Sequence, residues 1–193
     1  MSHRFAVGIA LLLLGLAAPA WATIYTSTDV PKSIGPNAGT ITTSVLNVPD
    51  SGSITDVNVN LTIRHTFDAD LDVFLSSPGG TIVELFTDVG GSGDNFINTT
   101  LDDSASTSIT AGTAPFTGTF RPEGVLADFN GENPFGTWTL RITDDLNGDA
   151  GTLDSWSLDI QSRAAVPEPA AVALLMTGVV GLLLQKLPRR RLR

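Results

Sequence analysis

Apolar and polar side chains alternate along the chain from Ile54. Val57, Val59, Leu61 and Ile63 fall on one face of an extended segment, and Asn58, Asn60, Thr62 and Arg64 fall on the other. A period of two with one wet side predicts a half-buried β-strand. The pattern returns in Leu71, Val73 and Leu75, in Val83 and Leu85, in Trp138, Leu140 and Ile142, and in Trp156, Leu158 and Ile160, with no helical spacing between Thr40 and Ile160. The interruptions carry turn chemistry: Pro49-Asp50-Ser51-Gly52, Ser76-Ser77-Pro78-Gly79-Gly80, Gly90-Gly91-Ser92-Gly93 and Asn147-Gly148-Asp149. Residues 23–163 also hold 22 Thr, whose branched side chain suits a half-exposed sheet face.

About eight short strands in roughly 120–130 residues predict two antiparallel sheets packed face to face, an all-β sandwich. The chain has no Cys, so packing and a bound cation, in place of disulfides, are expected to stabilise an exported fold. Residues 24–39 read as an arm leading into the sheets, and Ser162–Val166 as a very short linker. No internal repeat is present.

The two ends have a different composition. His3-Arg4, the apolar run Phe5–Leu16 and the small residues around Ala18-Pro19-Ala20 and Ala20-Trp21-Ala22 follow the three-part order of a secretory signal peptide, assigned to residues 1–22, with the mature chain starting at Trp21 or Thr23. At the other end Val166-Pro167-Glu168-Pro169 precedes the uncharged stretch Ala170–Leu184, then Lys186 and the cluster Arg189-Arg190-Arg191-Leu192-Arg193. Fifteen residues fall short of the roughly 17–25 of a spanning helix. Lys186 extends the usable length by running its methylenes along the lipid, and the basic end is then expected on the cytoplasmic side. This order of elements resembles the bacterial PEP-CTERM sorting signal, here over residues 164–193. The resemblance implies an exosortase-type sorting enzyme as partner, a transient anchor in the inner membrane, and delivery to the periplasm, cell surface or extracellular matrix. A plain tail anchor is the simpler alternative.

Charge narrows the partners of the middle segment. Residues 23–163 carry 19 acids against five bases, a net of −14 with His65 neutral, and 16 of the acids are Asp. Nucleic-acid binding needs clustered Lys and Arg and is excluded for this segment.

Two stretches carry a family likeness. His65-Thr66-Phe67-Asp68-Ala69-Asp70-Leu71-Asp72-Val73-Phe74-Leu75 with the turn Ser76–Thr81 is one. Phe129-Asn130-Gly131-Glu132-Asn133, followed by Gly136–Asp144 and by Gly151–Leu158, is the other. Together they resemble the P domain, or P/Homo B domain, of subtilisin-like proprotein convertases. Asp70-Leu71 matches the acidic-leucine pair of that family, Pro78 and Gly80 its strand-linking turn, and Trp138 and Trp156 its core tryptophans. The resemblance covers about residues 40–160 and implies a jelly-roll-like antiparallel β-sandwich occupying residues 23–163. In that family the module normally accompanies a catalytic domain, and no subtilisin-like catalytic segment is present in this sequence.

Candidate chemistry is sparse. A Ser-His-Asp hydrolase needs a histidine base; beyond the leader only His65 is present, at the inward end of the Val57–Ile63 alternation, and no Gly-x-Ser-x-Gly elbow accompanies it. His65 is therefore read as structural, its ring nitrogens met by nearby backbone or acid groups, and the chain as non-catalytic. One His without Cys also disfavours zinc. Calcium fits better, because it takes six to eight oxygens. Asp68, Asp70 and Asp72 lie two apart, so an extended backbone would put them on one side. Asp102-Asp103 and Asp144-Asp145-Leu146-Asn147-Gly148-Asp149 supply two more clusters. The candidate metal ligands are Asp70, Asp72, Asp102, Asp103, Asp144, Asp145 and Asp149, with one rim of the sandwich expected to unite Asp70, one of Asp102 and Asp103, and Asp144 or Asp145. An EF-hand starting at Asp145 is rejected, since Ala150 stands where glycine is required and Trp156 where glutamate is. The competing reading is a solvated acidic hairpin whose Asp and Asn side chains merely form turns.

These features lead to a non-catalytic, calcium-stabilised surface or matrix module making protein or exopolymer contacts. Two alternatives are a polysaccharide-binding module, with Phe96, Phe116, Phe120 and Phe135 as a shallow patch, and a detached accessory domain supporting a separate subtilisin-like protease.

Overall fold

A computed structural model describes residues 20–163, which form ten strands. In chain order these are β1 (Ala20–Thr26), β2 (Lys32–Ile34), β3 (Thr40–Val48), β4 (Ser53–His65), β5 (Leu71–Ser76), β6 (Ile82–Thr87), β7 (Phe96–Leu101), β8 (Phe116–Phe120), β9 (Gly136–Asp144) and β10 (Gly151–Arg163). One sheet has the order β1-β10-β4-β7-β8, with β2 also pairing with β10; the other is β3-β9-β5-β6. The all-β sandwich expected from the alternation is what forms. Every pairing is antiparallel except β7 with β8, which run parallel because the long connection between them returns along the sheet before β8 begins. The signal segment read over residues 1–22 lies outside the described residues as far as residue 19, and the sorting tail read over 164–193 lies outside them entirely.

The segment read as a lead-in arm, residues 24–39, is a correction: it supplies the last three residues of β1 and the whole of β2. β1 lies against β10 along its whole length, from Ala20 opposite Arg163 to Thr26 opposite Ser157. Both strands are peripheral, and Pro31, Gly35, Pro36 and Gly39 around β2 leave the segment without a long alternation to read. The residues taken as the start of a linker, Ser162 and Arg163, likewise complete β10.

The core occupies the gap between the sheets. Val57, Val59, Leu61 and Ile63 of β4 and Trp156, Leu158 and Ile160 of β10 face Leu71, Val73 and Leu75 of β5 and Trp138, Leu140 and Ile142 of β9, all of them buried. A bulge between Leu153 and Ser155 shifts the phase of β10, so that Leu153 also turns inward. Each indole N–H finds an acceptor: Trp138 Nε1 donates to the Pro134 carbonyl at 3.0 Å and Trp156 Nε1 to Ser44 Oγ at 2.8 Å. The second bond joins the sheets, and it explains why a serine holds a fully buried position in β3.

The phenylalanine patch envisaged for glycan contact is also corrected. Phe86 stacks on Phe96 (4.4 Å between ring centres), Phe96 on Phe116 (4.7 Å), and Phe120 meets Phe116 edge to face at 5.7 Å. Phe96 and Phe116 are core residues, and of the four only Phe135 is exposed. Among the described residues no helix is long and apolar enough to cross a membrane.

Candidate functional site

Several connections converge at one rim of the sandwich. The chain leaves β4 at His65, makes a 3-10 turn over Asp68–Asp70 and enters β5 in the opposite sheet. The hairpin from β9 to β10 crosses back at the same end, because Asp144 pairs with Leu71 and Gly151 with His65. Backbone bonds tie the loops together: Asp145 N–H donates to the Asp70 carbonyl (2.9 Å), Asp68 N–H to that of Gly93 (2.8 Å), Gly39 N–H to that of Asp144 (2.7 Å) and Gly148 N–H to that of Pro36 (3.0 Å). Of the acids on these segments Asp68, Asp70 and Asp144 are drawn inward.

Four polar side chains end up sealed there: His65, Asp68, Asp70 and Asp144, none more than 2% exposed. His65 Nδ1 lies 2.8 Å from the Phe67 carbonyl and 3.3 Å from the Phe67 N–H, so Phe67 offers it both an acceptor and a donor. Its Nε2 faces Asp144 Oδ2 at 3.4 Å, within ion-pair range, and neither atom has a hydrogen-bond partner. The Asn95 N–H donates to Asp68 Oδ1 at 2.8 Å, while Asp68 Oδ2 and Asp70 Oδ1 have no partner. Burial pushes the Asp68 carboxyl up to about 7, against the pull of the Asn95 N–H and of His65. Burial also raises Asp70, reinforced by Asp144 and Asp149.

The packing of this cluster relies on two glycines. Gly35 adopts φ 70°, and a Cβ there would collide with Asp144 Oδ2 and stand 2.7 Å from the Asp149 carbonyl. A Cβ at Gly151 would collide with the Arg64 carbonyl and meet the His65 ring at 2.7 Å. Larger residues would expel the imidazole or the carboxylate.

The other sequence candidates are distributed differently. The expected extended run of acids is broken by the 3-10 turn, so Asp68 and Asp70 turn inward while Asp72 sits half-buried on the outer face of the four-stranded sheet. Asp145 is exposed, and Asp149 accepts a 2.8 Å bond from the Thr66 hydroxyl. Asp102 and Asp103 do not reach this rim. β7 runs antiparallel to β4, with Phe96 opposite Ile63 and Leu101 opposite Val59, which puts the following residues some seven positions from His65, about 20 Å at strand spacing. There Asp102 accepts from Ser104 N–H, and both oxygens of Asp103 accept from Leu126 and Ala127 N–H. The union of Asp70, Asp102 or Asp103 and Asp144 at one rim is therefore not what the fold makes. The set that does meet adds Asp68 and His65, and its signal was the inward phase of His65 at the end of β4.

The orphaned oxygens of Asp68, Asp70 and Asp144 have the hard-donor chemistry of a calcium site. Their arrangement falls short of one: among the described residues no group of three or more His, Cys, Asp or Glu side chains is placed to hold a metal ion.

Residues 54–160 match the family described as the proprotein convertase P-domain. A calcium-dependent protease of Nostoc sp. is 28% identical over 117 residues, covering 60% of this chain and 15% of the relative. Leupeptin-inactivating enzyme 1 of Streptomyces exfoliatus is 25% identical over 157 residues, covering 81% of this chain and 30% of the relative. The serine protease of Aeromonas sobria, in its complex with the chaperone ORF2, shares the fold with a TM-score of 0.55 at 22% identity, over 79% of this chain and 28% of that one. The chain thus spans less than a third of each of these proteins.

Proposed function

Since the chain belongs to the proprotein convertase P-domain family, a non-catalytic β-sandwich module, we propose that it acts as an exported accessory body that packs on a subtilisin-like protease and supports its folded state. The observation that carries this reading is the placement of the module in its relatives. The matched segment is a minor part of longer proteins, one of them named a calcium-dependent protease. The accessory role takes precedence over the surface or matrix role expected from the sequence alone, since the relatives reported above bear the names of enzymes. Contact with an exosortase-type enzyme through residues 164–193, and with extracellular polysaccharide, belongs to that other role.

Calcium enters as a stabilising ligand of the same rim. Asp68, Asp70 and Asp144 are the residues that would hold it, supported by their unpartnered buried oxygens; as they stand they do not form a metal-holding group, so binding would have to draw them together. When bound, the ion supplies positive charge that offsets the burial of these carboxylates.

The accessory reading is tested by adding the purified full-length chain to a subtilisin-like protease whose own P-domain has been removed. A saturable lengthening of the half-life of protease activity at raised temperature is the expected result. An unchanged half-life, with no co-elution of the two proteins, favours the surface role.

A further inference from the structure

The outer strands of the sandwich differ in how their free edges are treated. An edge strand presents unpaired N–H and C=O groups, which another chain can pair with unless something occupies them. Along β3, Val45 N–H donates to Asp29 Oδ2 at 3.1 Å and the Ser27 hydroxyl donates to the Val45 carbonyl at 2.8 Å. Along β6, the N–H groups of Glu123 and Gly124 donate to the Leu85 and Glu84 carbonyls at 3.2 and 3.0 Å, and Thr87 N–H donates to the Glu123 carboxylate at 2.7 Å. Just past β8, Arg121 N–H donates to the Thr107 carbonyl and Ile109 N–H to that of Arg121, while Gly118, at φ 104°, takes the strand itself out of extended backbone. β2 is three residues long, holds Lys32 and lies between Pro31 and Pro36.

β1 has none of these devices. Among the described residues β10 is its single strand neighbour, and Ala20–Thr26 contains no charge, no Pro and no Gly. One bond just past its end shows which of its groups are open: Ser27 N–H donates to the Trp156 carbonyl at 3.0 Å. In an antiparallel ladder the residues that bond to a given neighbour alternate. Tyr25 and Thr23 therefore bond to β10, and Ala22, Ile24 and Thr26 aim their N–H and C=O groups away from it. These three residues are exposed, and among the described residues no loop backbone bonds to them. Ile24 is 69% exposed, more than any other large apolar side chain of the described chain.

We propose that this edge pairs with the same edge of a second copy of the chain, antiparallel about a two-fold axis at Ile24, joining the two six-stranded sheets into one. The strand is its own complement in that register. Ile24 lies opposite Ile24 of the partner subunit and Ala22 opposite Thr26 of the partner subunit, so each open N–H meets an open C=O. The two Ile24 side chains then share one face and cover each other. A foreign strand would have to bring a matching sequence, whereas a copy supplies it by symmetry. Charge does not oppose the pairing. β1 brings none, and Asp159, beside Ile24 in β10, would stand three strand spacings from its counterpart, about 14 Å, against a Debye length of about 8 Å at physiological salt. One short strand pair makes a small interface, so the dimer is a weak one. The pairing is independent of the protease reading and of the acidic rim.

The chain has no Cys, so a single introduced thiol reports which residue stands opposite it. Residues facing each other as a hydrogen-bonded pair have Cα atoms about 5.5 Å apart, within disulfide reach. Under mild oxidation of the full-length chain, Ile24→Cys is expected to form a covalent dimer about tenfold faster than Ala22→Cys or Thr26→Cys at equal concentration, because pairing raises the local thiol concentration. Ala22→Cys mixed with Thr26→Cys should cross-link faster than either alone, a register that association through other parts of the chain does not reproduce. Adding Ile24→Pro to both members of that mixture removes an outward N–H and leaves the β10 ladder intact, so cross-linking should fall to the rate of the single variants, with the melting midpoint checking that the fold is kept. Equal rates at positions 22, 24 and 26, or a mixed rate that Ile24→Pro leaves unchanged, overturn the proposal. Slow cross-linking in every variant also overturns it and leaves the edge to a foreign strand.

Discussion

His65 Nε2 stands 3.4 Å from Asp144 Oδ2, with both side chains sealed from solvent. The pair joins the end of β4 in one sheet to the end of β9 in the other. Removing one member leaves a buried acid or base without its partner. His65→Ala is expected to cost about 3–5 kcal/mol, as for other broken buried pairs, read from urea unfolding. In a double-mutant cycle with Asp144→Asn, the two changes should be less costly together than their sum. Additivity within about 0.5 kcal/mol would show that the two groups do not interact.

Stability should fall as pH rises through the neutral range. The Asp68 carboxyl is raised from 3.8 to about 7 in the folded chain, so between those values the native state holds a proton that the unfolded chain has already lost. Stability is then highest at the acid end of that window, declines as pH climbs through about 7 and levels off above it. Asp70 is shifted in the same direction. A melting series from about pH 5 to pH 8 should show this slope, and Asp68→Asn should flatten it. A slope of the same size in the variant would remove Asp68 as its source.

Millimolar calcium should raise the melting midpoint of the full-length chain, most strongly at the alkaline end, where the rim acids are ionised. Occupancy at about a hundred times Kd contributes about 2.7 kcal/mol. Chelator should reverse the gain and Asp70→Asn should abolish it, while Asp102→Asn, at the far end of β7, should leave it intact. A midpoint indifferent to calcium would remove the ion as a stabilising ligand of this rim.

Ser44→Ala should destabilise the sandwich by about 1–3 kcal/mol, the cost of a buried donor left without an acceptor, since Trp156 Nε1 depends on Ser44 Oγ. Introducing Trp156→Phe into the Ser44→Ala variant removes that donor, so its cost should be smaller there than in the parent. Equal costs in the two backgrounds would show that the inter-sheet bond does not contribute.

Gly35 and Gly39 both adopt left-handed backbone, at φ 70° and 77°, but only Gly35 presses on the rim. Gly39→Ala should therefore cost only the backbone term of about 1–2 kcal/mol. Gly35→Ala should cost clearly more, because the new methyl displaces Asp144. Thermal unfolding of the two variants side by side checks this, and equal losses would mean that the rim adapts freely to the intrusion.

The alternation along β4, β5, β6, β9 and β10 was enough to determine an all-β sandwich with Trp138 and Trp156 inside, because which face a strand residue takes depends on its immediate neighbours. The same local logic put His65 on the inward side. Which acids meet was decided only by the tertiary structure. Asp102 and Asp103 have the same chemistry as Asp144, yet the antiparallel register of β7 on β4 carries them to the opposite end, where they cap turns. Asp68 and Asp70 turn inward because a 3-10 turn replaces the extended backbone that their spacing suggests. β1 and β2 were hidden for a related reason: an edge strand is stabilised by the ladder it joins, and its own sequence need not alternate. Pairing distant segments is a property of strand order and register, which neighbouring residues do not encode.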